Sequence, residues 1–213
     1  MSERPLNVGC YVARAHGLAG LRAVLGSERY RVACVMTHRR KARFEDEARA
    51  ERPDFADYRA LTEAYGVPLW TVDSRRARDG LATRLAPLGL DLLLSISWRM
   101  LITAEELATA RLGGVNLHRG RLPECAGAFP IAQALERGDS EVVITAHVIT
   151  SEIDGGPVLA TGSHPITERP GETSEAQVER LKGEITPLFG PLALRALGEL
   201  EAQRRAGDQN SCC

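Results

Sequence analysis

Short apolar runs alternate along the chain with segments whose apolar residues recur every three or four positions. Leu6–Ala13 is the first apolar run and predicts a strand, and the large apolar residues of Leu18–Leu25 then fall on one helical face. Further strands are predicted at Val32–Met36, Val67–Val72, Asp91–Ser97, Gly114–His118, Glu141–Thr150 and Val158–His164. Helices are predicted at Tyr58–Tyr65, Arg75–Leu85, Ala104–Ala110 and Ala128–Arg137, with a last one from the Thr173 cap to about Arg205 that breaks, if at all, near Pro187 or Pro191.

This order of elements predicts an α/β fold with a largely parallel, twisted sheet flanked by helices. Three consecutive leucines, Leu92–Leu94, are typical of a strand that is buried on both faces. Ligands on such sheets bind beyond the carboxyl ends of the strands, which is where His16 and His38 fall. Neither the dinucleotide fingerprint nor a P-loop occurs, so chemistry on a bound dinucleotide or triphosphate is not expected.

Composition narrows the class of protein further. The 213 residues predict one core domain over residues 1–170, followed by a helical segment and tail over residues 171–213. The net charge is −1 and charges of both signs are interspersed, so the protein has no overall electrostatic field that would attract nucleic acid or a membrane surface. No apolar run approaches membrane-spanning length and the N-terminus does not resemble a secretion signal, so a cytoplasmic protein is expected. No cysteine or histidine spacing suggests a metal site, and a homodimer is left open.

The candidate chemistry is concentrated in two segments. Asn116 and His118 lie two apart on a predicted strand and therefore project from the same face, while Asp154 follows in a glycine-rich turn, Ser151–Pro157. Transfer of an acyl group to an amine creates an oxyanion and a positively charged nitrogen. The Asn116 amide and a protonated His118 would donate hydrogen bonds to that oxygen. Asp154 would hold His118 in its charged form and help to remove the proton from the attacking nitrogen.

The residues around these positions resemble a known family. N-L-H-R-G-R-L-P, A-G-A-F-P-I-A-Q-A-L-E-R-G-D and E-I-D-G-G-P-V-L-A are similar to segments of the folate-dependent formyltransferases, which include enzymes acting on methionyl-tRNA, glycinamide ribonucleotide and sugar nucleotides. The resemblance extends from the first strand to about Pro165 and implies the Rossmann-like formyltransferase fold. It also implies N10-formyltetrahydrofolate as the formyl donor, with no metal. The family's catalytic asparagine, histidine and aspartate fall on Asn116, His118 and Asp154.

The same resemblance implies where the folate lies. The loop after the fourth strand would contact the pterin, and the turn that carries the catalytic aspartate would close the other side. The folate-binding residues implied in this way are Trp98, Arg99, Met100, Leu101, Glu152 and Ile153.

The chain also departs from the family pattern. The family commonly reads H-x-S-L-L-P, whereas this chain has His118-Arg119-Gly120-Arg121-Leu122-Pro123, and Ala126 stands where a basic residue is usual. Arg121 is a candidate to replace that charge and to bind a phosphate or carboxylate of the acceptor, with an exposed loop arginine as the alternative. His16 and His38 are further candidates for contact with the acceptor. His147 and His164 are expected to be structural histidines.

The acceptor amine remains open. The loop after the first strand, Ala13–Gly17, lacks the Gly-Ser pattern of the glycinamide ribonucleotide enzymes, which disfavours glycinamide ribonucleotide as the acceptor. Only some forty residues follow the last strand, which disfavours methionyl-tRNA. The segments V-M-T-H and S-W-R-M-L-I look most like the sugar-nucleotide N-formyltransferases, so a nucleotide-linked amino sugar is placed first. An amino acid, a hydroxylamine or a natural-product amine is the alternative acceptor. A formyltetrahydrofolate hydrolase and a non-catalytic folate-binding protein are the alternative classes.

Overall fold

The computed structural model describes residues 4–43 and 45–210. Within them the strands are β1 (Leu6–Val12), β2 (Tyr30–Thr37), β3 (Leu69–Thr71), β4 (Leu92–Ile96), β5 (Gly114–His118), β6 (Glu141–Val148) and β7 (Val158–Pro165). They form one sheet in the order β3-β2-β1-β4-β5-β6-β7. The first five strands are parallel, and β6 is antiparallel to both of its neighbours. The predicted largely parallel α/β architecture is therefore confirmed.

Eight α-helices connect and cover the strands in the described part of the chain. They are α1 (Arg14–Leu25), α2 (Phe55–Ala64), α3 (Arg75–Arg78), α4 (Leu81–Leu85), α5 (Ala104–Leu107), α6 (Pro130–Glu136), α7 (Ser174–Ile185) and α8 (Phe189–Asn210). The helix predicted at Arg75–Leu85 is wrong as one element. It divides into α3 and α4 because Gly80 adopts the left-handed backbone conformation, with φ of 73°.

The predicted start of the C-terminal helix is confirmed, and of the two alternatives for its course the structure shows a break at Pro187. The Thr173 side chain accepts a hydrogen bond from the Ala176 amide at 3.3 Å and caps α7. A 3₁₀ turn over Thr186–Leu188, with Pro187 inside it, separates α7 from α8. Both helices share the main core, since Leu181, Phe189 and Leu200 are buried in it. The division of the chain at residue 170 stays a prediction.

The two faces of the sheet are covered differently. One face packs against α1 and α8 and forms the larger core cluster, to which Val115 and Leu117 of β5 belong. The opposite face carries Tyr11 and Leu93 in a smaller cluster closed by the segment around α4 and α5. Since side chains alternate along a strand, Asn116 and His118 lie on the second face, beside that smaller cluster.

No helix in the described part of the chain is long and apolar enough to span a membrane.

Candidate active site

The first half of the site lies where β5, the last of the parallel strands, pairs with the antiparallel strand β6. Asn116 of β5 lies directly opposite His147 of the antiparallel strand β6, and their side chains meet with Asn116 Nδ2 3.0 Å from His147 Nε2. The Val148 carbonyl oxygen, 3.0 Å from His147 Nδ1, accepts a hydrogen bond and places the ring proton on that nitrogen. His147 Nε2 is then left to accept a hydrogen bond from the Asn116 amide.

The turn between β6 and β7 brings Asp154 to the same place. One carboxylate oxygen lies 3.4 Å from His118 Nδ1, and the other lies 3.5 Å from His147 Nε2. The first oxygen also accepts a hydrogen bond from the Gly127 amide at 3.1 Å. The side chains predicted to be catalytic therefore converge, although Asp154 follows His118 by 36 positions in the printed sequence.

The charge of Asp154 follows from these contacts. Burial alone would raise the pKa of the Asp154 carboxyl group. The nearby His147 and His118 side chains and the Gly127 amide oppose that effect and hold the pKa below its ordinary value. Asp154 is consequently an anion at neutral pH.

His118 faces hydrogen-bond acceptors on both sides of its ring. Nε2 donates to the Cys125 carbonyl oxygen at 2.7 Å, and Nδ1 faces the Asp154 carboxylate. Burial is the larger influence and lowers the pKa of His118, while Asp154 and the Cys125 carbonyl act in the opposite direction. The expectation that Asp154 keeps the resting His118 charged is therefore wrong in its net direction: the resting ring is neutral. If Nδ1 gains a proton, its approach to Asp154 becomes a charge-assisted hydrogen bond.

Glycines allow the backbone to approach closely around this pair. A Cβ atom on Gly156 would lie 1.8 Å from the Val148 carbonyl oxygen, so the turn that carries Asp154 could not pack against β6 with a larger residue there. Asp154 itself has φ of 54°, a backbone conformation that aspartate tolerates better than most residues. Gly120 stands where the family pattern has serine, and its Cβ would lie 2.7 Å from the Cys125 carbonyl oxygen that holds His118.

The predicted folate loop has one buried and one exposed part. Trp98 stacks on His38 with ring centroids 3.9 Å apart, and the Arg99 guanidinium forms an ion pair with Asp73. Met100 packs against the smaller core cluster, whereas Leu101 is 62% exposed. Trp98 Nε1 is buried and has no hydrogen-bond partner among the described residues. The exposed Leu101 side chain therefore remains available to a ligand, and the contact of this loop with the folate stays a prediction.

The other predicted folate contacts lie on the turn beside the catalytic aspartate. Glu152 is exposed and Ile153 is 66% exposed, so neither side chain contributes to the core. Both remain available to a ligand that reaches Asp154. Their assignment to the folate stays a prediction.

The three predicted acceptor-binding residues have separate environments. His38 donates from Nδ1 to the Val72 carbonyl oxygen at 2.6 Å and is buried beneath Trp98, away from the Asn116–His118–Asp154 group. Arg121 forms an ion pair with Glu141 at 2.7 Å and lines a cavity of about 250 Å³ over β6 and β7. His16 is 4% exposed and contacts Phe189 edge to face. Contact of these residues with an acceptor stays a prediction.

His147 is a site residue that the sequence analysis missed, since it was expected to be structural. The useful signal is its register, because the antiparallel pairing of β6 with β5 places it opposite Asn116. His164, by contrast, lies 3.2 Å from Glu184 on α7, as a structural histidine would. Across residues 4–43 and 45–210, no group of three or more histidine, cysteine, aspartate or glutamate side chains is arranged to hold a metal ion.

A neutral imidazole, a carboxylate and an amide donor near the carboxyl end of β5 provide the groups that acyl transfer requires. The chain belongs to the formyl transferase family, whose model matches residues 18–186.

Known proteins of this family resemble the chain over different lengths. A methionyl-tRNA formyltransferase from Rhodopirellula baltica is 36% identical over 116 residues, which are 54% of this chain and 34% of that protein. The crystal structure of glycinamide ribonucleotide transformylase 1 from Symbiobacterium toebii is 26% identical with a TM-score of 0.68, and the match covers 92% of this chain and 90% of that one. A formyltetrahydrofolate deformylase from Pseudomonas syringae shares the fold, with a TM-score of 0.70 at 19% identity over 93% of this chain and 62% of the other. The chain spans about a third to a half of the length of the methionyl-tRNA formyltransferases it matches.

Proposed function

We propose that the protein transfers the formyl group of N10-formyltetrahydrofolate to the amine of a small metabolite, with a nucleotide-linked amino sugar as the first acceptor class. The observation that carries the proposal is the convergence of Asn116, His118 and Asp154, supported by family membership. The sugar-nucleotide assignment rests on the sequence resemblance of the loops after the second and fourth strands. The net charge of −1 also favours a small acceptor over a polyanion.

The proposed chemistry begins with attack by the acceptor nitrogen on the formyl carbon. A new carbon–nitrogen bond forms and the carbonyl electrons move to oxygen. The Asn116 amide has two N–H groups and directs one toward His147, and the second has no partner among the described residues and can stabilise the oxyanion. Collapse of the intermediate breaks the bond to the folate nitrogen, which leaves with the electron pair and takes up a proton. Overall, the acceptor nitrogen loses one proton and the folate nitrogen gains one.

His118 and Asp154 fit the role of carrying that proton. The resting imidazole is neutral because burial lowers its pKa, so it can accept a proton from the attacking nitrogen. The Asp154 carboxylate then lies 3.4 Å from the newly charged ring and stabilises it. Release of the same proton to the folate nitrogen returns the pair to its starting state.

The experiment that tests the function is product analysis by mass spectrometry. The purified protein is incubated with N10-formyltetrahydrofolate and a pool of nucleotide-linked amino sugars, amino acids, hydroxylamines, glycinamide ribonucleotide and methionyl-tRNA. His118→Ala is the inactive control, and Arg22→Ala, at the far end of α1, is the matched surface variant. We expect one acceptor to gain a single formyl group in the wild type and in Arg22→Ala, but not in His118→Ala.

Two other outcomes would change the assignment. Formate release without any formylated amine would identify a hydrolase, the activity named in the Pseudomonas syringae relative. Folate binding without turnover of any acceptor would favour the binding-protein alternative. A formylated methionyl-tRNA would retain the chemistry and replace the acceptor.

A further inference from the structure

The two edges of the sheet are protected to different degrees. At one edge, β3 has only three residues, and the Arg84 guanidinium lies 4.0 Å from the ring centroid of Trp70 on that strand. At the other edge, β7 has eight residues and carries no aspartate, glutamate, lysine or arginine. Short edge strands and charged side chains are among the devices that keep a sheet edge from pairing with another chain. β7 has neither of these two.

The pairing of β7 with β6 leaves part of its outer edge without partners. Ile166 continues the β6–β7 register by one residue, and its amide donates to the Ser140 carbonyl oxygen at 2.9 Å. Since hydrogen-bonded pairs alternate with non-hydrogen-bonded pairs in an antiparallel ladder, every second residue before Ile166 also bonds to β6. Thr161 and Ser163 lie between those residues, so their backbone N–H and C=O groups point away from β6. Both residues are exposed, and neither side chain forms a hydrogen bond within the described part of the chain.

The open part of this edge is short and symmetric. Pro165, at the next outward position, has no N–H to donate. At the other end the β6–β7 register shifts after Ala146, which interrupts the ladder before it reaches Thr161. Thr161 and Ser163 therefore present outward donors and acceptors on either side of Gly162.

Gly162 is not explained by packing within one chain. Among the described residues, a Cβ atom there would meet only Leu192 Cδ2, at 3.8 Å, which is an ordinary contact distance. Glycine weakens the interior of a strand and is typical of a place where a ligand or another backbone approaches closely. The surface beside it is also open, since Val158 is 51% exposed and borders the cavity of about 250 Å³ over β6 and β7.

We infer that β7 pairs with β7 of a second copy of this chain, antiparallel and about a two-fold axis at Gly162. The two seven-stranded sheets then become continuous across the axis. In this register Thr161 of one protomer lies opposite the partner's Ser163, and the reverse pair forms on the other side of the axis. Each pair exchanges both of its backbone N–H···O bonds, and the hydroxyl groups of threonine and serine lie within reach of each other.

Charge favours a second copy over a charged peptide as the partner. A two-fold axis brings each residue of the strand near its own copy, so a charged side chain at the open edge would lie close to a like charge. The one titratable residue of β7, His164, already lies 3.2 Å from Glu184 on α7. Beside the cavity, Arg121 and Glu141 form an ion pair and cancel each other's charge. The edge therefore attracts neither a basic nor an acidic peptide, whereas its donors and acceptors complement themselves.

Analytical ultracentrifugation of the full-length chain measures the association. Because the paired segment is short, we expect a weak dimer with a Kd of roughly 1–100 μM. Monomer and dimer should therefore exchange across a titration from about 1 to 500 μM. A chain that stays monomeric over this range overturns the proposal. Neither outcome depends on formyl transfer.

Hydrogen exchange of backbone amides locates the interface. The amides of Thr161 and Ser163 should exchange freely in the dilute protein and become protected by about 10-fold when nine tenths of the chains are dimeric. The Gly162 amide, which bonds to β6, should be protected at every concentration. A dimer that leaves Thr161 and Ser163 unprotected uses another surface and overturns the proposal. Protection of both amides in the monomer would also overturn it, because another segment of the chain would then cover the edge.

Charge variants test whether the edge pairs with itself. Thr161→Lys/Ser163→Lys and Thr161→Glu/Ser163→Glu each place like charges opposite one another, so each variant alone should raise the Kd of the dimer by about 10-fold or more. An equimolar mixture of the two should associate at least as tightly as the wild type, because lysine then lies opposite glutamate. Gln203→Lys, at an exposed position on α8, is the matched control and should leave the Kd unchanged. Urea unfolding confirms that the variants are folded. Wild-type association of either like-charged variant, or a mixture that stays monomeric, would overturn the self-pairing.

Discussion

His16 should make the folded protein sensitive to mild acid, because a positive charge on its ring would be buried without a partner. Burial, followed by the charges of Arg119, Arg14 and Lys182, lowers the pKa of His16 from 6.5 to about 3. In the unfolded chain the same ring would titrate near 6.5. The unfolded state therefore binds more protons than the folded state between these two values.

The sign and size of the effect follow from that difference. The contribution of His16 to stability is fully present above pH 6.5 and is lost as the pH falls toward 3. Each pH unit within this window is worth about 1.4 kcal/mol, so lowering the pH from 7.5 to 5.0 removes about 2 kcal/mol from the free energy of unfolding. His38 has its pKa lowered to about 3, also chiefly by burial, and should make a separate contribution of about the same size.

Urea unfolding at pH 7.5, 6.5 and 5.0 measures this contribution. His16→Phe keeps an aromatic ring against Phe189 and cannot take up a proton. We expect the wild type to lose about 2 kcal/mol more than His16→Phe between pH 7.5 and 5.0, whatever the offset between them at pH 7.5. His38→Phe provides the second comparison. The reasoning is refuted if His16→Phe and the wild type show the same pH dependence, since the folded protein would then accommodate the charged ring.

Three further predictions concern a close backbone approach beside the site, a buried ion pair and the pH dependence of catalysis. Gly156→Ala should lower the free energy of unfolding by about 1–3 kcal/mol in urea, because its Cβ meets the Val148 carbonyl oxygen, whereas Gly183→Ala in open space on α7 should raise it by roughly 0.5–1 kcal/mol. A Gly156→Ala variant as stable as the wild type would contradict the close approach. Glu106→Ala should lower the free energy of unfolding by about 3 kcal/mol, because it leaves Arg78 without its buried partner. A loss under about 1 kcal/mol would contradict the importance of this ion pair. In formyl transfer, the acid limb of the pH profile of kcat/KM should lie below pH 6.5, because burial lowers the pKa of His118. Asp154→Asn removes the negative charge that favours protonated His118, so this variant should move the acid limb to still lower pH. An acid limb at or above pH 6.5 in the wild type would contradict the role of His118 as the base.

The sequence predicts the sheet well because its signals are local. A strand buried on both faces reads as a continuous apolar run, and all five residues of β4 are indeed buried. The Thr173 cap and the break at Pro187 follow from one or two residues each. The helix predicted at Arg75–Leu85 fails for the opposite reason, since its periodicity is continuous and only the conformation of Gly80 divides it.

Site residues could be predicted from the sequence where a family motif fixed their positions, but not where their roles depend on packing in the folded protein. Asn116, His118 and Asp154 could be aligned with a family pattern, and the structure brings them together. The environment of His147 depends on a strand register that follows a helix and a turn. The charge state of His118 depends on a balance between burial and Asp154 that spacing cannot express.

His118 has to serve an amine acceptor in two charge states. It must be neutral to accept a proton, and burial keeps it so, while the Asp154 carboxylate lies 3.4 Å away and stabilises the charged form once the proton arrives. Because burial and Asp154 act on the pKa of the same ring in opposite directions, a change at either one should move the acid limb of kcat/KM. The direction of the movement then shows which of the two influences was weakened.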